Sequence, residues 1–272
     1  MNNFRPGTRV IRGAEIPIDQ REIIRALENL ELIYVGLDES GNAASLRMRQ
    51  HKIMTDDAMQ LVVKLKTLTS LTLWPMTDKR LAYVKLLPNL EHTDFRNLSR
   101  GASADGEHVT DAGLIHLSEL YDLVTLCLSG AQISDSGLNH LKGLTNLKKL
   151  QVGGPFTLAG LKQLSCISNL VYLEVPSSLG LGYAEFCPNL EEICHFENST
   201  DSDLAYLQVL TKLRVLRIAS DKVSDFGIRY LKSIKSLREL ALFCPNVTES
   251  GIKELQEALP ECDIEHDPSP LP

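Results

Sequence analysis

The sequence predicts a curved, right-handed α/β solenoid, with short parallel strands along its concave face and helices along its convex face. Three observations carry this. First, Val109–Val152 holds one phrase almost twice, VTDAGLIHLSELYDLVTLCL and ISDSGLNHLKGLTNLKKLQV, and Thr110–Ser134 and Leu126–Leu150 both span 24 residues. Second, apolar residues recur at i, i+3 and i+5, as in Leu123-Leu126-Leu128, Leu147-Leu150-Val152 and Leu213-Leu216-Ile218. Third, an apolar–Ser/Thr–Asp triplet precedes most helical stretches, as in Val109-Thr110-Asp111, Ile133-Ser134-Asp135 and Val223-Ser224-Asp225, with looser versions at Phe156-Thr157, Ser199-Thr200-Asp201 and Val247-Thr248-Glu249.

Residues 1–45 read as an N-terminal cap. Ile18–Leu30 places Ile23, Ile24, Leu27 and Leu30 on one helical face, with Asp19 at an N-cap position. LELIYVGL, the turn DESGN and ASLRMRQ then read as a hairpin. A helix and hairpin here cover the open end of the first unit.

Residues 46–267 read as the solenoid, about 8–9 units. The helix-start hydroxyls fall at Thr55, Thr77, Thr110, Ser134, Thr157, Thr200, Ser224 and Thr248, spaced by 22, 33, 24, 23, 43, 24 and 24 residues. The 33 is one unit with an insertion at 97–108, a rim loop that serves as a bulge or a contact. The 43 is two units, of which Pro176–Leu190 is degenerate, its helix expected to shrink to a turn.

Each hydroxyl suits an N-cap, and the carboxylate after it suits the positive end of the helix dipole. A small residue follows three positions later in most units, which suggests close helix-to-strand approach; Arg80 and Asp203 break the rule and predict looser turns there. Residues 268–272 read as a frayed tail.

The repeats resemble those of leucine-rich-repeat proteins, specifically the ribonuclease-inhibitor-like and cysteine-containing types and bacterial proteins built on ITDAGLxxLxxLxxLxxLxL. The resemblance spans about 43–267. One departure is that the asparagine or cysteine usual after the strand is replaced by Ala131, Pro155, Ser178, Asp221 and Pro245. The resemblance implies a non-catalytic, protein-binding scaffold. It also implies an alternative, the substrate-recognition subunit of an enzyme complex such as a ubiquitin-ligase-like assembly, although residues 1–45 are short for the adaptor-binding domain those relatives carry.

Composition narrows the classes further. A net charge of −7 over 272 residues argues against nucleic acid as the partner. The chain has no apolar run of membrane-spanning length, and MNNFRPGTRVIRG has no secretory pattern. The six cysteines follow no framework spacing, so a reducing cytoplasm and a monomer are expected. No phosphate loop, nucleophile elbow or His-Glu-x-x-His helix occurs, so no enzyme and no cofactor is expected. Cys187, Cys194 and His195 invite a metal- or thiol-dependent reading, but their spacing fits no standard zinc pair and a buried thiol is the plainer reading. His116 and His140 share one helix position and predict an exposed stack.

Residues between the strand leucines should project onto the concave face. The candidates for protein binding are Arg47, Trp74, His92, Asp94 and Arg96 in the mixed first half. In the more acidic second half they are Lys149, Tyr172, Glu174, Arg217, Glu239 and Phe243. Trp74, Tyr172 and Phe243 are the aromatics the pattern exposes, and aromatics and arginines dominate interface hot spots.

Overall fold

The computed structural model describes residues 18–31, 33–49, 54–95, 108–128, 131–196 and 198–269. Helix α1 (Ile18–Asn29) leads into a hairpin of β1 (Ile33–Leu37) and β2 (Ala43–Met48). Asp38 closes the hairpin by accepting the amides of Ser40 at 2.9 Å and Asn42 at 2.8 Å. Gln20, buried in α1, accepts the Ala43 amide at 2.9 Å and donates to Thr67 at 3.3 Å. With Ile24 and Leu27 in the core, α1 closes the first end of the stack.

Nine further strands follow: β3 (Ser70–Thr72), β4 (His92–Asp94), β5 (Thr125–Leu128), β6 (Lys149–Val152), β7 (Tyr172–Glu174), β8 (Glu192–Phe196), β9 (Val215–Ala219), β10 (Glu239–Phe243) and β11 (Asp263–His266). All lie in one sheet in chain order, β1 antiparallel to β2 and every later pair parallel. Leu46, Leu71, Leu126, Leu150, Leu173, Leu216 and Leu240 form a single register row facing the core, each at most 1% exposed. The α/β leucine-rich-repeat solenoid that the periodicity predicts is the fold of the chain.

The far side carries less helix than the ribonuclease-inhibitor-like resemblance implies. Helices α2 (Asp56–Val62) and α3 (Asp78–Val84) have seven residues. Helices α4 (Asp111–Leu114), α5 (Asp135–Leu138), α6 (Leu158–Leu161) and α7 (Asp225–Ile228) have only four, each running into a 3₁₀ turn, and only α8 (Glu249–Ala258) regains ten. The core spacing is compatible with this, although Met59, Val62, Leu65 and Leu68 keep the same spacing beside the longer α2. Leu114, Leu117, Leu120 and Leu123 are all buried at intervals of three, as are Leu138, Leu141, Leu144 and Leu147. Three residues per turn is the 3₁₀ period, whereas an α-helix would rotate these leucines progressively off the core. In the degenerate unit the helix is reduced to two 3₁₀ turns, Ser177–Leu179 and Gly182–Phe186, and Tyr183 is buried to 1% exposure.

The small residue after each hydroxyl has a different cause from helix-to-strand approach. A Cβ added at Gly113, Gly137, Gly160, Gly227 or Gly251 would lie 2.6–3.1 Å from the Cγ of the aspartate one unit earlier. That aspartate is the residue after the N-cap, and it acts between units. Asp78 accepts the Thr110 amide at 2.7 Å and hydroxyl at 2.6 Å. Asp135 holds Thr157 at 2.7 and 2.8 Å, Asp201 holds Ser224 at 2.7 and 2.7 Å, and Asp225 holds Thr248 at 2.8 and 2.7 Å. A clamp of this kind needs glycine because the carboxylate occupies the space a side chain would fill.

The two exceptions are not loose. Arg80 stands at the glycine position and faces the previous unit's carboxylate: its Nε lies 3.6 Å from Asp56, which Lys79 also pairs with, and its Nη1 donates to the Pro75 carbonyl at 2.8 Å. Thr200 follows units that carry Leu158 and Ser178 where the aspartate would stand. Asp203, at the glycine position of Thr200's own unit, supplies the carboxylate instead, accepting the Thr200 amide and hydroxyl at 2.7 Å each.

A second ladder lies before the strands. Asn89, Asn146, Asn169 and Asn189 donate their side-chain amides to carbonyls of Lys66, Tyr121, Thr145 and Ser168 at 2.8–3.0 Å. These bonds tie adjacent turns although most positions after the strand lack asparagine.

Candidate functional site

The outer face of the sheet is built by strand alternation. Partnered strands put side chains in register, so three outward rows cross the sheet, starting from β3 onward at each strand's first residue and repeating every second position. The first row runs Ser70, His92, Thr125, Lys149, Tyr172, Glu192. The second runs Arg47, Thr72, Asp94, Cys127, Gln151, Glu174, and resumes with Cys194, Arg217 and Ala241. The third includes Ala219 beside Phe243.

Hydrogen bonds join these side chains across strands. Cys127 donates its thiol to Gln151 at 2.7 Å, and Gln151 donates to Glu174. Tyr172 donates its hydroxyl to the other Glu174 oxygen at 2.7 Å, while the Lys149 ammonium sits 5.8 Å from the Tyr172 ring centre. Burial, and then the bond to Glu174, raise the Tyr172 hydroxyl above the usual phenol range. Arg217 lies between Glu192, 3.4 Å from Nη1, and Glu239, 3.2 Å from Nη2, with the Cys194 sulfur at 3.7 Å. Burial raises the Cys194 thiol, against the opposing bond from Arg217.

The eleven candidates are not one patch. Tyr172 and Glu174 share a network with Lys149 beside them, and Arg217 and Glu239 share another. His92 contacts Thr125 at 3.2 Å. Arg47 is exposed on β2, and Asp94 is half-buried on β4. Trp74 follows β3 and Phe243 ends β10, seven strands apart, or roughly 34 Å at the usual strand spacing. Arg96 and all of the 97–108 insertion except His108 lie outside the described residues.

Several exposures differ from expectation. Trp74, Tyr172 and Phe243 are half-buried, and Trp74 packs against the core. Cys127 and Ala241 point outward but are only 7% and 8% exposed, covered by their neighbours. His116 and His140 are half-buried, not an exposed stack. Gln151, Glu192 and Cys194 complete the two networks, and strand alternation was the signal that could have ranked them with the rest. Cys187 sits in the core, its thiol pushed up to about 12 by burial, whereas Cys194 belongs to the outer face. The fold thus directs the pair to opposite sides of the sheet.

Among the described residues no helix is long and apolar enough to cross a membrane. Neither a scan against family models nor a search of curated proteins finds a match. Among solved structures the chain is similar to internalin C2 of Listeria monocytogenes, with 23% identity, 83% of this chain and 81% of that one covered, and a TM-score of 0.44. It is also similar to a leucine-rich-repeat protein of Leptospira interrogans, with 16% identity, 75% and 62% covered, and a TM-score of 0.38. An internalin of L. monocytogenes that is 14% identical covers 92% of this chain and 94% of its own, at a TM-score of 0.41.

Proposed function

We propose that the chain is a non-catalytic scaffold that binds another protein on the outer face of its sheet, acting as a monomer in the reducing cytoplasm. The observation that carries this reading is the pair of networks on that face. Side chains already fixed by Gln151–Glu174–Tyr172 and Glu192–Arg217–Glu239 lose little further freedom when a partner covers them. A solenoid suits the task because each unit adds contact area without reordering the others. A net charge of −7 favours protein over nucleic acid as the partner.

The test is affinity capture with three baits: the wild-type chain, a face variant (Lys149→Ala/Tyr172→Ala) and a far-side variant (Tyr206→Ala/Phe226→Ala), each first shown to melt as the wild type does. The expected result is a protein retained by the wild-type and far-side baits and lost from the face variant. Retention by the face variant with loss from the far-side variant would overturn the reading.

A further inference from the structure

We infer that the β9–β11 end of this face docks a cationic, amphipathic segment of the partner protein, an arginine or lysine of which seats over Ala241. The inference rests on the scaffold reading and adds the chemistry of what is bound.

Charge divides the first two outward rows. From β2 to β6 they carry Arg47 and Lys149 against Asp94, a formal +1. From β7 to β11 they carry Glu174, Glu192, Glu239, Asp263 and Glu265 against Arg217 alone, five minus one, a formal −4. Just before their strands lie the rim cations Lys148, Arg214 and Arg238, the last already paired with Glu261 at 3.1 Å.

The register shows where the cation belongs. Arg217 occupies the second row of β9, bridging Glu192 on one neighbouring strand and Glu239 on the other. One strand along, the same row holds Ala241. Glu239 lies on its own strand, Glu265 is its direct partner on β11, and Asp263 pairs with Glu239. Asp263 takes the place that Glu239 has beside Arg217, Val215 stands where Glu192 would, and Glu239 and Glu265 add two carboxylates around a position that has no guanidinium. Among the described residues neither Asp263 nor Glu265 pairs with a cation, and both are exposed. Phe243 and Ala219, paired in the third row beside Ala241, provide an apolar strip. A segment alternating a cationic with an apolar side chain therefore matches both strips at the spacing of a strand.

The probe is a fluorescein-labelled oligo-arginine peptide, with oligo-glutamate as control, measured by fluorescence anisotropy in low salt. Ala241→Lys supplies the cation within the chain, and Glu239→Gln/Glu265→Gln removes its partners; either should weaken oligo-arginine binding by about tenfold or more. Glu22→Gln/Glu28→Gln in α1 makes the same change in net charge at the other end and should leave binding within about twofold. Equal weakening by the α1 variant would reduce the effect to net charge and overturn the inference. Unchanged binding by both Ala241→Lys and Glu239→Gln/Glu265→Gln would also overturn it. Glu239→Gln/Glu265→Gln touches only exposed side chains, so the test survives if Ala241→Lys fails to fold. A captured partner lost from the Lys149→Ala/Tyr172→Ala bait but kept by Ala241→Lys would leave the scaffold reading standing and remove this one.

Discussion

Asp111 holds Ser134, one unit ahead, by both of its donors: the amide reaches Oδ1 at 2.8 Å and the hydroxyl reaches Oδ2. Ser136 adds its own hydroxyl to Oδ2 at 2.8 Å. Burial opposes ionisation of this carboxyl, but the Ser134 and Ser136 donors outweigh it and hold Asp111 below the usual carboxylate range. Asp111→Asn turns one acceptor into a donor facing donors, and should cost about 1–3 kcal/mol in urea unfolding. An unchanged midpoint would show that the clamp contributes nothing.

The sign of the pH effect follows from the same carboxyl. Its pKa is lower folded than unfolded, so its contribution is complete above the unfolded value of 3.8 and fades as pH falls through the folded value. The wild type should therefore lose stability relative to Asp111→Asn as the pH drops below about 4. Parallel stability curves for the two proteins between pH 5 and pH 2.5 would contradict this.

Gly137 and Asp111 should behave as one unit in mutagenesis. A Cβ at 137 lies 2.8 Å from Asp111 Cγ and from Ile133 Cγ2, so Gly137→Ala should destabilise by about 1–3 kcal/mol although alanine is the better helix former. Shortening the facing side chain, in Gly137→Ala/Asp111→Ser, should cost less than the sum of the two single changes. Simple additivity in that cycle would locate the strain elsewhere.

Asp203→Ala removes the carboxylate oxygen that accepts both Thr200 donors, where the two preceding units carry Leu158 and Ser178 in place of the aspartate. The expected loss is about 1–2 kcal/mol, with amide exchange at Thr200 accelerated before that of the β9 core. Exchange at Thr200 matching the wild type would show that water replaces the carboxylate without cost.

The thiols provide a check on the core. Cys166 is exposed, whereas Cys187 is buried with its thiol raised to about 12. Iodoacetamide at neutral pH should label Cys166 in the folded protein and leave Cys187 unmodified until denaturant is added, as read by peptide mass mapping. Comparable labelling of both would place Cys187 outside the core.

The leucines were legible because their information is local: Leu126 and Leu150 announce a buried strand by spacing alone, and both are fully buried. A buried period of three was also present in Leu114, Leu117 and Leu120, but Met59, Val62 and Leu65 share it beside a seven-residue helix, so spacing alone did not give the helix lengths. The aspartates were harder. A carboxylate after an N-cap hydroxyl satisfies its own helix on paper, and only the stacking of units reveals that Asp111 serves Ser134. On the outer face, strand alternation by itself points Cys127 outward. Its burial depends on Gln151, 24 residues away, and no single strand contains that fact.

The clamp also gives the stack a direction. Each regular unit presents an acceptor to the unit after it and a donor pair to the unit before it, so units join head to tail and never head to head. Whole units can therefore be gained or lost in an ancestral gene without redesigning the joint, provided the cut respects the period. A reversed unit would face carboxylate with carboxylate at one joint and hydroxyl with hydroxyl at the other. The sequence length is free to drift in steps, while the order of joining is fixed.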